Sequence, residues 1–447
     1  MTNHWSRRDL LRAGLGAAGL GAAGALLSAC GLGGSGTPSS GDGEGMVFLS
    51  SQLANTQESE ILRRTVLSGF DRPVEFIGAT NTSQFVDRIR AEAKAGTGNV
   101  ALVGGVQGEF VAMAADGVLR DMTDVVEGLS DRGFNEQYLE LAQVDGRYAF
   151  VPWIQASYIM AARREALRFL PAGADVNALT YDQLLAWTSA IQQATGSSRF
   201  GLPAGTDGLV KRFLQGYTYP SFTGGVNTTF ASPDAATMWN WVKQVWATAN
   251  PQSVTYAFMQ EPLLSGEVWV AWDHAVRLID ALQAQPDEFV SFPAPTGPRG
   301  LGFLPVLGGL GVPNTSPDPD GAIALITYLT DPAQAATILR EMAWFPPIGL
   351  DQLPGDLPPG IAAEAATLQA MADAPDALVS SLPVGLGAQG GAYDQVFVDT
   401  FTAIVLDGKD VPGVLTTQSK VLQDVLTTAN ASCWRPDPES AGVCRVA

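Results

Sequence analysis

"TSQFVDRIRAEAKAGTGNVALVGG", residues 82–105, contains a helix, a turn and a strand in one run. A Ser or Thr stands where a helix cap belongs, Phe85, Ile89 and Ala93 share one helical face, and Gly96 ends the run. The apolar NVALVGG (99–105) then reads as a buried strand. Working outward, MVFLSS (46–51) and RPVEFIGAT (72–80) are short apolar strands. Between them, TQESEILRRTVLSGF (56–70) sets Ile61, Leu62, Thr65, Val66 and Phe70 at helical spacing. Strand, helix, strand, helix, strand predicts right-handed crossovers and a sheet with parallel strands, so the fold class expected is α/β. GEFVAMAADGVLRDMTDVV (108–126) adds a helix with a glycine stop and a loop.

From DGRYAFVPWIQASYIMAA (145–162) aromatics and prolines become dense, and a mostly helical middle follows. TYDQLLAWTSAIQQATG (180–196), GLVKRFLQGYTY (208–219) and SPDAATMWNWVKQVWATAN (232–250) are its helices, with Met238, Trp241, Val242 and Val245 on one face of the last. EVWVAWDHAVRLIDAL (267–282) predicts a strand turning into a helix, and EFVSFPAPTGPRG (288–300) a strand running into a Pro/Gly loop. VLGGLGVP (306–313) is a strand, residues 317–349 give two helices and an aromatic-proline turn, and shorter helices complete the chain. With 447 residues and 46% apolar content, the chain can bury a large core, and its length predicts two or three domains.

The N-terminus carries an address. Arg7, Arg8 and Arg12 precede a charge-free stretch over 13–29 that is shorter, and richer in Gly and Ala, than a membrane span calls for. SRRDLL resembles a twin-arginine export signal, and Leu27-Ser28-Ala29-Cys30 resembles a bacterial lipobox. The resemblance implies removal of residues 1–29 and lipidation of Cys30, whose several acyl chains would hold a membrane where one chain binds only marginally. A short buried helix with a core cysteine is the alternative. GSGTPSSGDGEG (34–45) behaves as a flexible coil, so residues 30–45 read as a tether.

The chain carries a net charge of −19, and loss of three arginines and Asp9 with the signal makes it more acidic still. That balance argues against nucleic acid, against charge-driven membrane binding and against a steered anionic ligand. Beyond Cys30 only Cys433 and Cys444 remain; in an oxidising compartment they are expected to form a small-loop disulfide, with free thiols as the alternative.

Six blocks in order resemble the family 1 extracellular solute-binding proteins, the maltose-binding type that feeds ABC importers. They are VDRIRAEAKAGTGNVALVGG (86–105), AADGVLRDMTDVV (114–126), VDGRYAFVPWIQASYIMAARREAL (144–167), LSGEVWVAWDHAVRL (264–278), FPAPTGPRG (292–300) and GAIALITYLTDPAQAATILREMAWFPPIG (321–349). The resemblance implies a two-lobed periplasmic-binding-protein-like fold with discontinuous lobes and a hinge. Lobe 1 would take residues 46–157 and 306–343, and lobe 2 residues 158–305 and 344–447. It also implies an extracytoplasmic monomer that captures solute between its lobes, and partners in a membrane permease with its cytoplasmic ATPase.

A neutral mono- or oligosaccharide offers hydroxyls and apolar C–H faces, so its site needs aromatic platforms and hydrogen-bonding carboxylates or amides. Carried onto this chain, Trp272 is the expected stacking platform and Asp273 the hydroxyl acceptor. Trp153 and Tyr158 flank the first lobe crossing, and Trp344 with Phe345 form a turn that in this family faces ligand. Asn81 follows the second strand, and Gln107 and Glu109 the third, at the carboxyl ends where α/β sheets bind ligands. Arg277 lies one turn beyond Asp273, and Tyr393 follows a glycine-rich run. Trp187, Trp239, Trp241 and Trp246 fall in amphipathic helical patterns and are expected in the core or at the surface. The strings GLGAAG (14–19) and GLGAQG (385–390) lack the strand-turn-helix setting of a nucleotide site.

His274 is the one histidine beyond the signal, so neither a multi-histidine metal site nor any cofactor is expected, and no GxSxG elbow supports a serine nucleophile. A glycosidase working with two carboxylates, a receptor for glycerophosphodiesters and a ligand-free structural lipoprotein are the alternatives. An anionic ligand calls for clustered basic residues, for which Arg277, Arg299 and the pair Lys211–Arg212 are the candidates.

Overall fold

The helix expected within residues 82–96 forms over Thr82–Ala95, burying Phe85 and Ile89, and the strand behind it, Val100–Val106, is buried through its first six residues. In this computed structural model, residues 45–447 are described apart from 55, 80, 81, 207 and 350–355. The stretch expected to be an export signal, Cys30 and nearly all of the expected tether therefore lie outside the described residues, as does Asn81.

Two separate sheets carry the α/β fold. The first has the order 74–78, 46–50, 100–106, 306–311, 151–156. Its first three strands are parallel, as the strand-helix alternation predicts, while 306–311 runs antiparallel to both of its neighbours. The second has the order 289–292, 158–163, 270–274, 200–201. Ser157 alone separates Val151–Ala156 of the first sheet from Tyr158–Arg163 of the second, so the chain passes between lobes in one residue. It returns just after Leu301–Phe303 to enter Val306–Gly311. Phe345 bridges Gln155 beside the first crossing, with N–H···O bonds in both directions at 2.6 and 3.0 Å.

Buried hydroxyls fasten the crossings. The Ser157 hydroxyl donates to the Leu304 carbonyl at 2.9 Å and meets the Tyr217 hydroxyl at 2.9 Å. Tyr217 in turn accepts the Tyr158 N–H at 3.1 Å. Gly216 is required here, because a Cβ would sit 2.5 Å from Leu304.

The helical middle packs as its patterns predict. Thr180 and Gln183 form a capping box at the start of Tyr181–Thr195, and Ser232 caps Pro233–Trp246. Trp187, Trp239 and Trp241 are buried, and each indole N–H is satisfied, by the Ala166 carbonyl, the Tyr219 hydroxyl and the Tyr181 carbonyl respectively. Cys433 and Cys444 are disulfide-bonded with Cα atoms 4.6 Å apart. Among the described residues no single helix is long and apolar enough to cross a membrane.

Candidate functional site

The parallel strands Met46–Ser50 and Val100–Val106 end at one edge of the first sheet, and the residues just beyond them build one wall of a cavity. Glu109 lies in the first turn of the helix Gln107–Ala115, where its carboxylate accepts the Val106 N–H at 2.8 Å and the Ser51 hydroxyl at 2.5 Å. The strand glycines make this possible: a Cβ on Gly105 would stand 2.6 Å from Oε2 of Glu109.

The opposing wall belongs to the other lobe. Arg212, from the helix Val210–Phe213, donates to both oxygens of Asp394 at 2.9 and 3.0 Å. Gln215 donates to Asp394 at 3.1 Å and accepts from Arg212, and the Lys211 ammonium lies 3.5 Å from the same carboxylate. Between the walls is a cavity of about 840 Å³, a volume suited to a small-molecule ligand. Arg90, Gly108 and Glu109 line it from the first lobe, and Arg212, Asp394 and the Leu382–Gly387 turn from the second. Positive φ at Gly385 and Gly387 lets that turn bend tightly. Among the described residues, none that lines this cavity is aromatic.

Of the residues expected from sequence, Glu109 is in that lining. Gln107 opens the same helix and donates to the Leu141 carbonyl at 3.2 Å. Tyr158 stands at the crossing; burial pushes its phenol up to about 12, against the pull of Arg212 and Arg277. Trp344 is half-buried, its indole N–H held by Glu58 at 2.9 Å, and Phe345 is buried beside Gln155. Burial raises the Glu58 carboxyl, with the Trp344 bond acting the other way.

Several placements correct the sequence expectation. Trp272 is fully buried: its ring stacks on Tyr158 with centroids 4.9 Å apart and planes within 5°, while Phe213 and Tyr217 meet it edge-on at 5.0 and 5.4 Å. It offers no free face to a sugar. Asp273 is equally enclosed. Its oxygens accept the N–H groups of Met259 at 2.9 Å and His274 at 2.7 Å, with Arg277 at 3.9 Å, so it anchors local backbone rather than opening to a hydroxyl. Burial raises its carboxyl to about 7, opposed by Arg277 and the two N–H groups. Next to it, burial and then the Arg277 charge bring His274 down to about 3. Arg277 itself donates to the Ala257 carbonyl at 2.9 Å and stands over the Phe258 ring at 4.3 Å. Trp153 packs in the first lobe's core against Phe48, and Tyr393 is a core residue whose hydroxyl donates to Asn227 at 2.9 Å.

The structure thus gathers Tyr158, Trp272, Asp273 and Arg277 into one packed cluster and leaves Glu109 on the far wall. Asp394, Arg90 and Ser51 are additions that the sequence reading does not contain, and Arg212 enters it only as a basic residue for an anionic ligand. One usable signal exists, since Asp394 lies four residues beyond the glycine-rich string 385–390, near the start of a helix.

The family model described as bacterial extracellular solute-binding protein matches residues 68–349. No curated protein matches the sequence. Among solved structures, maltose-bound MalE3 of T. maritima is 18% identical with a TM-score of 0.65, covering 85% of this chain and all of its own. MalE of Xanthomonas citri is 15% identical with a TM-score of 0.69, covering 86% of this chain and 97% of its own. UgpB of Mycobacterium tuberculosis, in complex with glycerophosphocholine, is 18% identical with a TM-score of 0.64, covering 86% of this chain and 99% of its own. With two lobes joined by closely packed crossings, and a family match over more than half its length, the chain belongs to the bacterial extracellular solute-binding proteins.

Proposed function

We propose that this protein is a lipid-anchored receptor that captures a neutral carbohydrate between its lobes and delivers it to the permease of an ABC importer. The observation that carries the choice of a neutral solute is the internal pairing of charge on the cavity walls. Arg212 is matched by Asp394, Arg90 by Asp87 and Asp116, and Glu109 is held by Ser51 and the Val106 N–H. An anionic ligand would have to take Arg212 from its carboxylate, whereas a hydroxyl can donate to Asp394 or Glu109 and leave the pairs intact. Glu109, Arg212 and Asp394 are the proposed contacts, with the half-buried Trp344 as the aromatic group nearest in kind to a platform. Gln107 and, from the sequence pattern, Asn81 are further proposed contacts.

Two proteins of the same fold point in different directions, one bound to maltose and one to glycerophosphocholine, so the second ligand class belongs in the test. Residues 1–29 would be the export signal and Cys30 the lipidated residue, with the permease and its ATPase supplied by partners. The proposed role is capture without turnover.

Thermal unfolding of the protein against mono-, di- and oligosaccharides, polyols and glycerophosphodiesters tests this, with each mixture assayed afterwards for hydrolysis. A ligand at about 100 times its Kd adds about 2.7 kcal/mol to stability. A shift with an intact sugar supports the reading; a shift confined to the phosphodiesters, or a cleaved sugar, overturns it.

A further inference from the structure

The C-terminal segment CWRPDPESAGVC (433–444) has no part in the cavity lining, yet it is fastened to the second lobe at several points. Its disulfide closes it, and the Cys444 N–H donates to the Ala431 carbonyl at 2.8 Å. Asp437, buried within it, accepts the N–H groups of Val226, Asn227 and Thr228 at 3.0, 2.8 and 3.0 Å. Trp434 packs on Tyr393 at 5.3 Å, one residue from Asp394 of the cavity wall. The Arg435 carbonyl accepts the Ser381 N–H at 3.0 Å, directly before the Leu382–Gly387 turn. The loop is therefore a rigid buttress of the second wall.

The Arg435 side chain points the other way, across to the first lobe. Its guanidinium lies 2.8 Å from Oε2 of Glu140, on the helix Glu136–Leu141. That helix is tied to the first wall, because its Leu141 carbonyl receives Gln107, the opening residue of the helix that carries Glu109. A second contact runs beside it, from the Asn135 amide to Asp373 at 3.3 Å.

We propose that the disulfide loop is a clasp for the cleft, in which Arg435 grips Glu140 and favours the closed arrangement of the two walls. The inference rests on hinge motion between the lobes but not on the identity of the solute. A pair this exposed gains little when both partners are free to wander, and fixing the backbone on the Arg435 side lowers the entropy lost on pairing.

Small-angle X-ray scattering of residues 44–447, which make up one compact unit, tests the clasp without any ligand. Arg435→Glu and Glu140→Arg each place like charges face to face, and Arg435→Gln removes the charge alone. Each single change is expected to raise the open-to-closed ratio, by up to about fivefold for removal of the pair, and so enlarge the radius of gyration. The double reversal restores the original dimension, and ~0.5 M salt makes the unaltered protein resemble Arg435→Gln. A purely structural role would move the melting temperature without moving the radius of gyration. Unchanged dimensions in the single variants, or a double variant as open as the sum of its parts, overturns the proposal. A solute panel without a thermal shift would instead overturn the receptor reading and leave the clasp standing.

Discussion

The Arg212–Asp394 pair is the feature of the cavity whose energetics follow most directly from geometry. Two parallel N–H···O bonds at 2.9 and 3.0 Å join side chains that are each 17% exposed. A hydrogen bond to a charged group contributes about 1.5–3 kcal/mol, and a fully exposed ion pair about 0.2–1 kcal/mol. A pair with this exposure falls between, so a coupling energy of about 2 kcal/mol is expected from a double-mutant cycle of Arg212→Ala and Asp394→Ala. Gln215 and Lys211 soften each single change, since Arg212 keeps the Gln215 oxygen and Asp394 keeps the Gln215 amide and the Lys211 charge. The assay is the urea midpoint at constant m-value, followed by solute-induced stabilisation of Asp394→Asn. Loss of one charge-assisted bond to a bound hydroxyl predicts at least about tenfold weaker binding in that variant. A coupling below about 0.5 kcal/mol would refute the reasoning about the pair, and full affinity in Asp394→Asn would refute its place in the site.

Three further outcomes can be measured. Asp273 is raised from 3.8 to about 7, so its contribution to stability is complete below pH 3.8 and lost as pH rises through 7; His274 is lowered from 6.5 to about 3, so its contribution is complete above 6.5 and lost as pH falls toward 3. The two oppose each other between about pH 4 and 6.5, and His274→Gln should turn a flat denaturation profile there into one that declines with pH; a profile that stays flat contradicts the balance. Gly216→Ala forces a Cβ to within 2.5 Å of Leu304 at the lobe crossing and should cost about 1–3 kcal/mol by calorimetry. Its control is Gly413→Ala in the helix Val411–Ala429, where a Cβ meets only a side-chain oxygen of the capping Asp410, at 3.2 Å, and no backbone, so the effect should be smaller. Replacing Cys433 and Cys444 together by Ser should lower stability by about 3 kcal/mol in chemical denaturation, and a loss under about 1 kcal/mol would show that Asp437 and Trp434 hold the loop unaided.

The fold is legible in the sequence because period and punctuation agree along the chain. Phe85 and Ile89 repeat at helical spacing, and Val100–Val106 is apolar without interruption, which is what a strand covered on both faces requires. The antiparallel entry of Val306–Gly311 beside Val100–Val106 is not legible, since its partner lies far earlier in the chain and no local pattern encodes that pairing. The site is legible only in part, and the aromatic residues explain why. Trp272 and Asp273 sit in a block that resembles the family, but sequence cannot distinguish an indole facing a cleft from one stacked under Tyr158. Glu109 can be read because its place follows from the end of a strand. Asp394 is hidden because the partner that gives it meaning, Arg212, is remote in sequence and adjacent only once the lobe has folded.

That distribution of residues bears on how affinity could arise. Two of the rings expected at the ligand, Tyr158 and Trp272, instead join the second lobe's core to the crossing, where they stack on each other and Tyr217 meets both. A cavity lined without rings cannot draw much on stacking, so a captured sugar would depend on hydroxyls placed between Glu109 on one wall and the Arg212–Asp394 pair on the other. Such bonds form together only when the walls are at their closed spacing, because each partner is fixed to a different lobe. Affinity then tracks the closing equilibrium as much as the contacts themselves, since the observed Kd scales inversely with the fraction of molecules already closed. A change at the crossing, such as Tyr217→Phe, removes a hydroxyl shared by Ser157 and the Tyr158 backbone and touches no residue of the cavity lining. It should nevertheless alter solute affinity, and it should do so by the same factor for every solute that binds. A factor that differs between solutes would place Tyr217 in direct contact with ligand and remove the separation between hinge and site on which a common factor depends.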